Sequence, residues 1–356
     1  MQNANFNGSI KVVSIGGGTG LSTLLAGLKN FVGQAAEDPW IESLSAIVTV
    51  SDDGGSSGRL REELQMLPPG DIRNCMIALS EDSTLLSRLF RYRFRGSGNL
   101  GGHSFGNLFL AALTEVTGDF VEAVRLSSEV LASKGHIFPA TVSDVRLVAE
   151  LEDGREVLGE TQITAARSRI RSLRLIPEEC LPLPEALAAI SAADVITIGP
   201  GSLYTSIIPN LLVSGVPEAI ADSEATKIFI ANLMTQPGET DGYGFREHLE
   251  TVRKYAPQLH FDYTIVNDRD ISSEQARIYA EDGAVPVRLE SPVDAEACDA
   301  GIEVVRADLL DEGEMVRHNS ERLARAVVDC AAQDRAKKFA AADVTDKLNP
   351  NVIALN

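Results

Sequence analysis

Glycine and threonine residues near the start of the chain have the chemistry to hold a phosphate group. Residues 10–29 read IKVVSIGGGTGLSTLLAGLK, in which a β-branched segment gives way to glycines and then to apolar residues at helical spacing. Glycines let a ligand approach the backbone closely, and the first N–H groups of a helix have no partner within it. The segment therefore predicts a strand, an anion-binding turn and a helix. The predicted turn residues are Gly16, Gly17, Gly18, Thr19 and Gly20.

This turn departs from two standard phosphate-binding motifs. Leu21 stands where a dinucleotide-binding loop has its third glycine, and no Lys-Ser or Lys-Thr pair completes a P-loop. The mismatch disfavours an oxidoreductase that uses a nicotinamide dinucleotide. A glycine turn that only joins the strand to the helix is the alternative interpretation.

A second glycine turn follows another predicted strand, in the segment ADVITIGPGSLYTSIIPNLLV. Hydroxyl groups and unpaired N–H groups at a helix start again suit an anion or a sugar. A polar loop then follows the strand KIFIANLM, and its uncharged and acidic side chains suit hydroxyl recognition. The predicted ligand-binding residues of these segments are Gly199, Gly201, Ser202, Thr205 and Asn232.

Two carboxylates follow a predicted strand, in the segment SDDGGSSGRLREEL. Asp52 and Asp53 have three uses there: binding ribose hydroxyls, holding a magnesium ion that bridges phosphates, or accepting bonds from nearby N–H groups in the turn. We predict a ligand or magnesium role for this pair, with Asp53 as a candidate catalytic residue.

Two further loops carry amide and imidazole groups. Asn74 lies in PGDIRN and Asn107 in GHSFGNL, and both are predicted to contact ligand. His103 in the second loop is the best candidate for a general acid or base. No carboxylate lies at a recognisable triad spacing from it, so a hydrogen-bonded loop histidine is an equal alternative.

Composition narrows the class of protein. The chain has 356 residues, 44% of them hydrophobic, and a net charge of −19 that disfavours binding to nucleic acid. Its start, MQNANFNGS, lacks the features of a signal peptide, and no apolar run is long enough to span a bilayer. We expect a cytoplasmic protein without membrane insertion, whose four cysteines are reduced.

Strand-like segments alternate with helical ones over most of the chain. This order predicts an α/β fold with a three-layer parallel sheet covered by helices on both faces. We expect a single domain over residues 1–356 and a loose tail over 342–356. Residues 144–177 depart from this order, because polar and apolar residues alternate on both sides of Asp153 and Gly154. This pattern predicts a β-hairpin insertion with no required role at the ligand site.

Taken in order, GGGTGLSTLLAGL, SDDGGSSGRLR, PGDIRN, GHSFGNL, IGPGSLYTSIIPNLLV and NLMTQPGET make the chain similar to the 2-phospho-L-lactate transferase-like (CofD-like) family. The resemblance covers nearly the whole chain and is to the bacterial branch of gluconeogenesis factors. It implies a Rossmann-like sheet and a cytoplasmic protein that binds UDP-activated amino sugars such as UDP-N-acetylglucosamine. It further implies a regulatory role in cell shape and wall synthesis during gluconeogenic growth, acting through a protein partner.

The resemblance also assigns two residues outside the glycine turns. Tyr279 in RIYAEDGAVPV would stack on the uracil ring, and Arg317 in MVRHNS would pair with the diphosphate. A packed tyrosine and an arginine at a helix start are the alternatives. The transferase branch of the family moves a phospholactyl group from a nucleoside diphosphate donor with the help of magnesium. That activity is the alternative function, and whether the chain self-associates stays open.

Overall fold

The structure, a computed structural model, describes residues 8–35, 39–81, 85–289 and 301–348, with side chains up to residue 340. The strands in these ranges are β1 (Ser9–Gly16), β2 (Trp40–Val48), β3 (His136–Pro139), β4 (Arg146–Leu151), β5 (Glu156–Leu158), β6 (Ile170–Ile176), β7 (Val195–Ile198), β8 (Thr226–Ile230), β9 (Tyr263–Asn267) and β10 (Glu303–Ala307).

Helices follow most of these strands. The α-helices in the same ranges are α1 (Gly18–Leu28), α2 (Gly55–Leu64), α3 (Gly70–Leu79), α4 (Leu85–Arg91), α5 (Phe105–Thr117), α6 (Phe120–Val130), α7 (Glu160–Ala166), α8 (Pro184–Ser191), α9 (Ile208–Leu211), α10 (Val216–Asp222), α11 (Phe245–Tyr255), α12 (Ser273–Glu281) and α13 (Ser320–Leu348). A 3₁₀ turn, Lys29–Phe31, and a π-helical turn, Leu203–Ile207, complete the helical segments. None of the helices in the described ranges could cross a membrane.

Seven strands form one parallel sheet in the order β10-β9-β8-β7-β1-β2-β3. The chain runs outward from β1 through β2 to β3, then returns to the other side of β1 and continues from β7 to β10. The order therefore reverses between β1 and β7, where Val12 pairs with Val195. The predicted α/β fold with a parallel sheet is confirmed. In such sheets a ligand site lies beyond the carboxyl ends of the strands at the point of reversal.

The central strands are buried from both sides, which explains their nearly continuous apolar sequence. In β1 the last five residues are all buried, and α1 packs four leucines into the same core: Leu21, Leu24, Leu25 and Leu28. Gly27 of α1 meets the backbone of Ser320, where a Cβ would overlap the carbonyl oxygen. This close contact fixes the start of α13, and the segment just before it, beside α1.

The insertion at 144–177 is larger than the predicted hairpin. β4 and β5 do pair antiparallel around the Asp153 turn, but β6 adds a third antiparallel strand and α7 lies between β5 and β6. The C-terminal prediction also needs revision, because residues 342–348 belong to α13. The rest of the predicted tail, 349–356, lies outside the described residues, as does Cys298.

Candidate functional site

The two glycine turns lie side by side at the reversal point of the sheet. The first follows β1 and the second follows β7, the strand that pairs with β1. A Cβ at Gly20 would overlap the carbonyl oxygen of Pro200, so only glycine permits this contact between the turns. The fold thus joins two segments that are about 180 residues apart in the chain.

The first turn is held partly by the protein itself. The N–H of Gly18 donates to the carboxyl group of Asp71, and Gly17 lies so close to that carboxyl that a Cβ would collide with it. Gly16 still belongs to β1, and its carbonyl accepts from Asn210. Within the described residues, the N–H groups of Thr19 and Gly20 have no acceptor. The part of the turn open to an anion is therefore its last two residues.

The second turn is held by polar side chains. Asn232 Oδ1 accepts from the N–H of Gly201 at 3.1 Å, and the Ser202 hydroxyl donates to Glu239 Oε2 at 2.7 Å. Thr205 donates to Ser202 Oγ at 2.8 Å, within the π-helical turn. Gly199 takes a φ of +83°, a value that favours glycine. These contacts present hydroxyl groups beside the first turn.

A cavity of about 860 Å³ opens above the two turns, and we call it the main cleft. Its walls come from the loops after β1, β2, β7 and β8, from α12, and from the segment before α13. Helix α7 of the insertion forms a further wall, so the insertion does reach the candidate ligand site. The predicted site residues that line the main cleft are Thr19, Gly20, Asp52, Gly201, Ser202, Asn232, Tyr279 and Arg317.

The two neighbouring aspartates have different surroundings. Asp52 lines the main cleft, and its Oδ1 accepts from the N–H of Gly54 at 2.8 Å. Asp53 does not line the cleft; its Oδ1 accepts from the N–H and the hydroxyl of Thr161 at 2.9 and 2.7 Å. Asp53 thus caps the start of α7, which is the turn-stabilising alternative considered for this pair.

Four carboxyl groups form what we call the acidic cluster. Asp52 and Glu160 line the main cleft, and Asp71 and Glu239 lie close enough to Glu160 to affect its charge. Burial and the charge of Asp52 raise the pKa of Asp71 to about 6. Burial, with the charges of Asp52 and Asp71, raises the pKa of Glu160 to about 9. Burial also raises the pKa of Glu239. The cluster thus favours protons or a cation. Among the described residues, no three His, Cys, Asp or Glu side chains are grouped so that they alone could hold a metal ion.

His103 and Asn107 belong to a buried hydrogen-bond group away from the cleft. His103 Nδ1 lies 2.9 Å from Ser56 Oγ, and Asn107 Nδ2 donates to the same hydroxyl at 3.1 Å. Burial and the nearby Arg59 lower the pKa of His103. Neither His103 nor Asn107 lines the main cleft. The geometry favours the hydrogen-bonded loop histidine over a catalytic one.

Tyr279 and Arg317 come together at one end of the main cleft. The hydroxyl of half-buried Tyr279 accepts from the N–H of Val316 at 3.1 Å, which ties α12 to the residue before Arg317. Both side chains line the cleft, one aromatic and one cationic. The structure therefore brings together residues that are 38 positions apart in the sequence.

A second cavity of about 470 Å³ adjoins the main cleft, and we call it the arginine annex. Thr19, Thr23, Arg317 and His318 line both cavities. The predicted residue Asn74 lines the annex, and its Oδ1 accepts from Arg73 at 2.5 Å. The arginines that line the annex are Arg73, Arg91, Arg93 and Arg317.

Glu160 and His318 are among the cleft residues that sequence reasoning missed. Glu160 lies in the insertion. The alternation of polar and apolar residues there predicted only an antiparallel hairpin, and no residue pattern indicated a ligand role. His318 directly follows Arg317 and could have been found by extending that assignment by one residue. Burial lowers the pKa of His318 to about 4, so its imidazole is neutral near pH 7.

The doubly wound sheet, with its two glycine turns beside a polar cleft, defines a Rossmann-like α/β protein with a candidate ligand site at the reversal point. The profile of the family described as 2-phospho-L-lactate transferase CofD matches residues 12–310, and the chain belongs to this family.

Named relatives and a solved structure extend this similarity. The chain is 45% identical over 318 residues to the gluconeogenesis factor of Halalkalibacterium halodurans, covering 89% of this chain and 95% of the relative. It is 46% identical over 321 residues to the gluconeogenesis factor of Bacillus subtilis, covering 90% and 97%. A crystal structure of a Bacillus halodurans protein superposes with a TM-score of 0.84 at 44% identity, covering 90% of this chain and 99% of that one.

Proposed function

We propose that the protein binds a UDP-sugar of the UDP-N-acetylglucosamine type and acts as a cytoplasmic regulator of cell shape and wall synthesis during gluconeogenic growth. The names of its relatives support a role related to gluconeogenesis. Family membership supports a nucleotide-type ligand. The regulatory role would be passed on through a protein partner that senses whether the cleft is occupied.

The observation that carries the ligand proposal is the pairing of Tyr279 with Arg317 at the cleft. An aromatic ring beside a guanidinium suits a base that continues into a diphosphate. Thr19 and Gly20 line the same cleft with unpaired N–H groups, which add neutral donors for phosphate oxygens. Ser202 and Asn232 then provide polar groups for sugar or ribose hydroxyls.

Regulation is favoured over catalysis by the position of the histidines. The hydrogen-bonded pair of Ser56 and His103 lies outside the main cleft. His318 lines the cleft, but its Nε2 has no hydrogen-bond partner in the described chain. The cleft residues that the structure describes therefore include no nucleophile already hydrogen-bonded to a histidine base.

Calorimetric titration of the purified protein with UDP-N-acetylglucosamine tests the proposal. Tyr279→Phe keeps the ring but loses the hydrogen bond to Val316, so it should retain most of the affinity. Tyr279→Ala removes the stacking surface and should weaken binding about tenfold, which corresponds to about 1.4 kcal/mol. Phe339→Ala, at an exposed aromatic residue of α13 that lines neither cavity, is the control. Absence of binding heat for the wild-type protein, with and without magnesium, would refute the proposal.

A magnesium-dependent transfer of a phospholactyl-like group from a nucleoside diphosphate donor is the second candidate. The acidic cluster favours it, because carboxylate oxygens are ligands that Mg²⁺ prefers, and Mg²⁺ is commonly held by one or two carboxylates together with substrate phosphates. Asp52, which lines the cleft, fits this role better than Asp53, because Asp53 is used to cap α7. Bound there, Mg²⁺ would neutralise charge on the nucleoside monophosphate that leaves when the bridging P–O bond of the donor breaks.

Turnover distinguishes the two candidates. The wild-type protein is incubated with nucleoside diphosphate donors and magnesium, and nucleotide release is followed by chromatography. Regulation predicts an intact donor after prolonged incubation. Transfer predicts release that Asp52→Asn suppresses and Asp53→Asn leaves largely unchanged.

A further inference from the structure

Four arginines line the arginine annex, against a single acidic residue, Asp311. In the described part of the chain, no ion pair joins Arg73, Arg93 or Arg317 to a carboxylate. This is unusual for a chain whose net charge is −19, since carboxylates are abundant elsewhere on its surface.

Two of the annex arginines, Arg73 and Arg93, are positioned by neutral acceptors. Arg73 Nη1 donates to Ser104 Oγ at 2.6 Å and Nη2 donates to Asn74 Oδ1, while its Nε is buried without a partner. Arg93 Nη1 donates to the carbonyl oxygen of Gly102 at 2.6 Å. These bonds fix the guanidinium groups without cancelling their charge, which leaves them ready for an anion.

Arg73 is repelled electrostatically by another arginine of the annex, Arg93. Burial and then the charge of Arg93 lower the pKa of Arg73, and the nearby Asp71 and Asp52 offset only part of this effect. Arginines that serve surface stability in this chain are arranged differently. Arg125, for example, bonds to Glu122 at 2.6 Å and also to Glu129 on the same helix. The contrast argues against a purely structural role for the annex arginines.

His318 adds a hydrogen-bond acceptor where the two cavities meet. The N–H of Ala231 donates to Ile265, so the bond between His318 and the Ala231 backbone must run from the ring to the carbonyl oxygen. The other ring nitrogen, Nε2, is then an unprotonated acceptor, buried and unpartnered in the described chain. This unmet acceptor would favour a ligand that carries a hydroxyl group where the main cleft and the annex meet.

We propose that the arginine annex is a second anion-binding site, which takes a phosphate or carboxylate group in addition to the diphosphate of a nucleotide. The anionic group could be carried by the sugar of the same ligand or by a separate small molecule. In both cases the annex would bind an anion that lies beside a hydroxyl group. The placement next to the diphosphate rests on the proposed function, whereas the anion site itself does not.

The experiment compares matched probes by calorimetry. UDP-glucuronic acid and UDP-glucose differ by one carboxylate and test an anion on the same ligand. Glucose 6-phosphate and glucose test a separate anion. Each probe is titrated into the wild-type protein, into Arg93→Gln, which changes a residue of the annex but not of the main cleft, and into Arg95→Gln, an exposed control outside both cavities.

We expect at least one anionic probe to bind about tenfold or more tightly than its neutral partner. Arg93→Gln should abolish that difference and leave the affinity for UDP-glucose unchanged, whereas Arg95→Gln should preserve the difference. Equal affinities within both wild-type pairs would overturn the annex proposal while UDP-glucose binding still supported the proposed function. Binding of glucose 6-phosphate that depends on Arg93, without binding of either UDP-sugar, would support the annex and refute the proposed function. An advantage for the anionic probe that survives Arg93→Gln would also overturn the annex proposal.

Discussion

The acidic cluster and the arginine annex adjoin each other, but their charges respond differently to a change in pH. Their residues even share a helix, since Asp71 and Arg73 both lie in the first turn of α3. Burial raises the pKa values of three carboxyl groups of the cluster, and the pKa of Asp71, about 6, lets that group gain or lose a proton near neutral pH. The annex arginines stay charged at any accessible pH. Binding of an anion across both regions should therefore be linked to pH through the acidic cluster alone.

The largest expected effect comes from disrupting the contact between the two glycine turns after β1 and β7. Gly20→Ala should destabilise the protein by roughly 1–3 kcal/mol and abolish ligand binding, because the new Cβ overlaps the Pro200 carbonyl oxygen. Urea denaturation and calorimetry measure the two effects. Gly98→Ala is the control, since a Cβ there meets nothing within 4 Å. Equal stability of both variants would contradict the packing described for the turns.

The next effect is the pH dependence of protein stability that Glu160 of the acidic cluster causes. The folded-state pKa of Glu160, about 9, lies above the usual value of 4.5 for a glutamate, so folding is coupled to proton uptake between these pH values. This contribution to stability is full below pH 4.5 and is lost as pH rises towards 9. Compared with Glu160→Gln, the wild-type protein should lose up to about 1 kcal/mol of stability per pH unit between about pH 6 and about pH 8. Parallel curves of unfolding free energy against pH would show that Glu160 is not perturbed.

Arg317 is the arginine of the annex that also lines the main cleft, so its removal should affect ligands of either region. Arg317→Ala should weaken binding of UDP-N-acetylglucosamine roughly 10- to 100-fold, as expected for loss of a charge-assisted hydrogen bond. The control is Arg277→Ala, which removes a surface arginine bonded to Glu274 and Glu281. Calorimetry measures the affinities. An unchanged affinity in Arg317→Ala would remove this residue from the site.

The smallest expected effect distinguishes the two neighbouring aspartates. Asp53→Ala should cost about 1 kcal/mol of stability, because the N–H of Thr161 at the start of α7 loses its acceptor, and should leave ligand affinity nearly unchanged. Asp52→Ala should instead alter the magnesium dependence of ligand binding with little change in stability. Thermal unfolding and calorimetry with and without Mg²⁺ measure both. A reversed pattern would return the ligand role to Asp53.

Most of the fold could be predicted because the central strands are buried on both faces. Segments such as KVVSI and DVITI are rich in apolar β-branched residues, and these residues lie in β1 and β7. β3 and β10 were not predicted, since they lie at the edges of the sheet and are only four and five residues long. Short edge strands leave little pattern in a sequence.

The candidate site was predictable where loops follow strands and less so elsewhere. The turns after β1 and β7 were located because glycines interrupt apolar runs, and the sheet order brings those turns together. The different uses of Asp52 and Asp53 could not be separated, because Thr161, the partner of Asp53, is more than 100 residues away. The role of α7 was missed for the same reason: its contact with the cleft depends on tertiary packing.

Calorimetric titration with UDP-N-acetylglucosamine near pH 6, in two buffers of different ionisation enthalpy, tests the central claim most directly. If a diphosphate binds between the acidic cluster and the arginine annex, its negative charge should raise the pKa of Asp71 further, and binding should take up protons. Mg²⁺ should reduce or reverse that uptake by favouring ionised carboxylates. Binding with identical heats in both buffers, with and without Mg²⁺, would contradict the claim that the ligand contacts the acidic cluster.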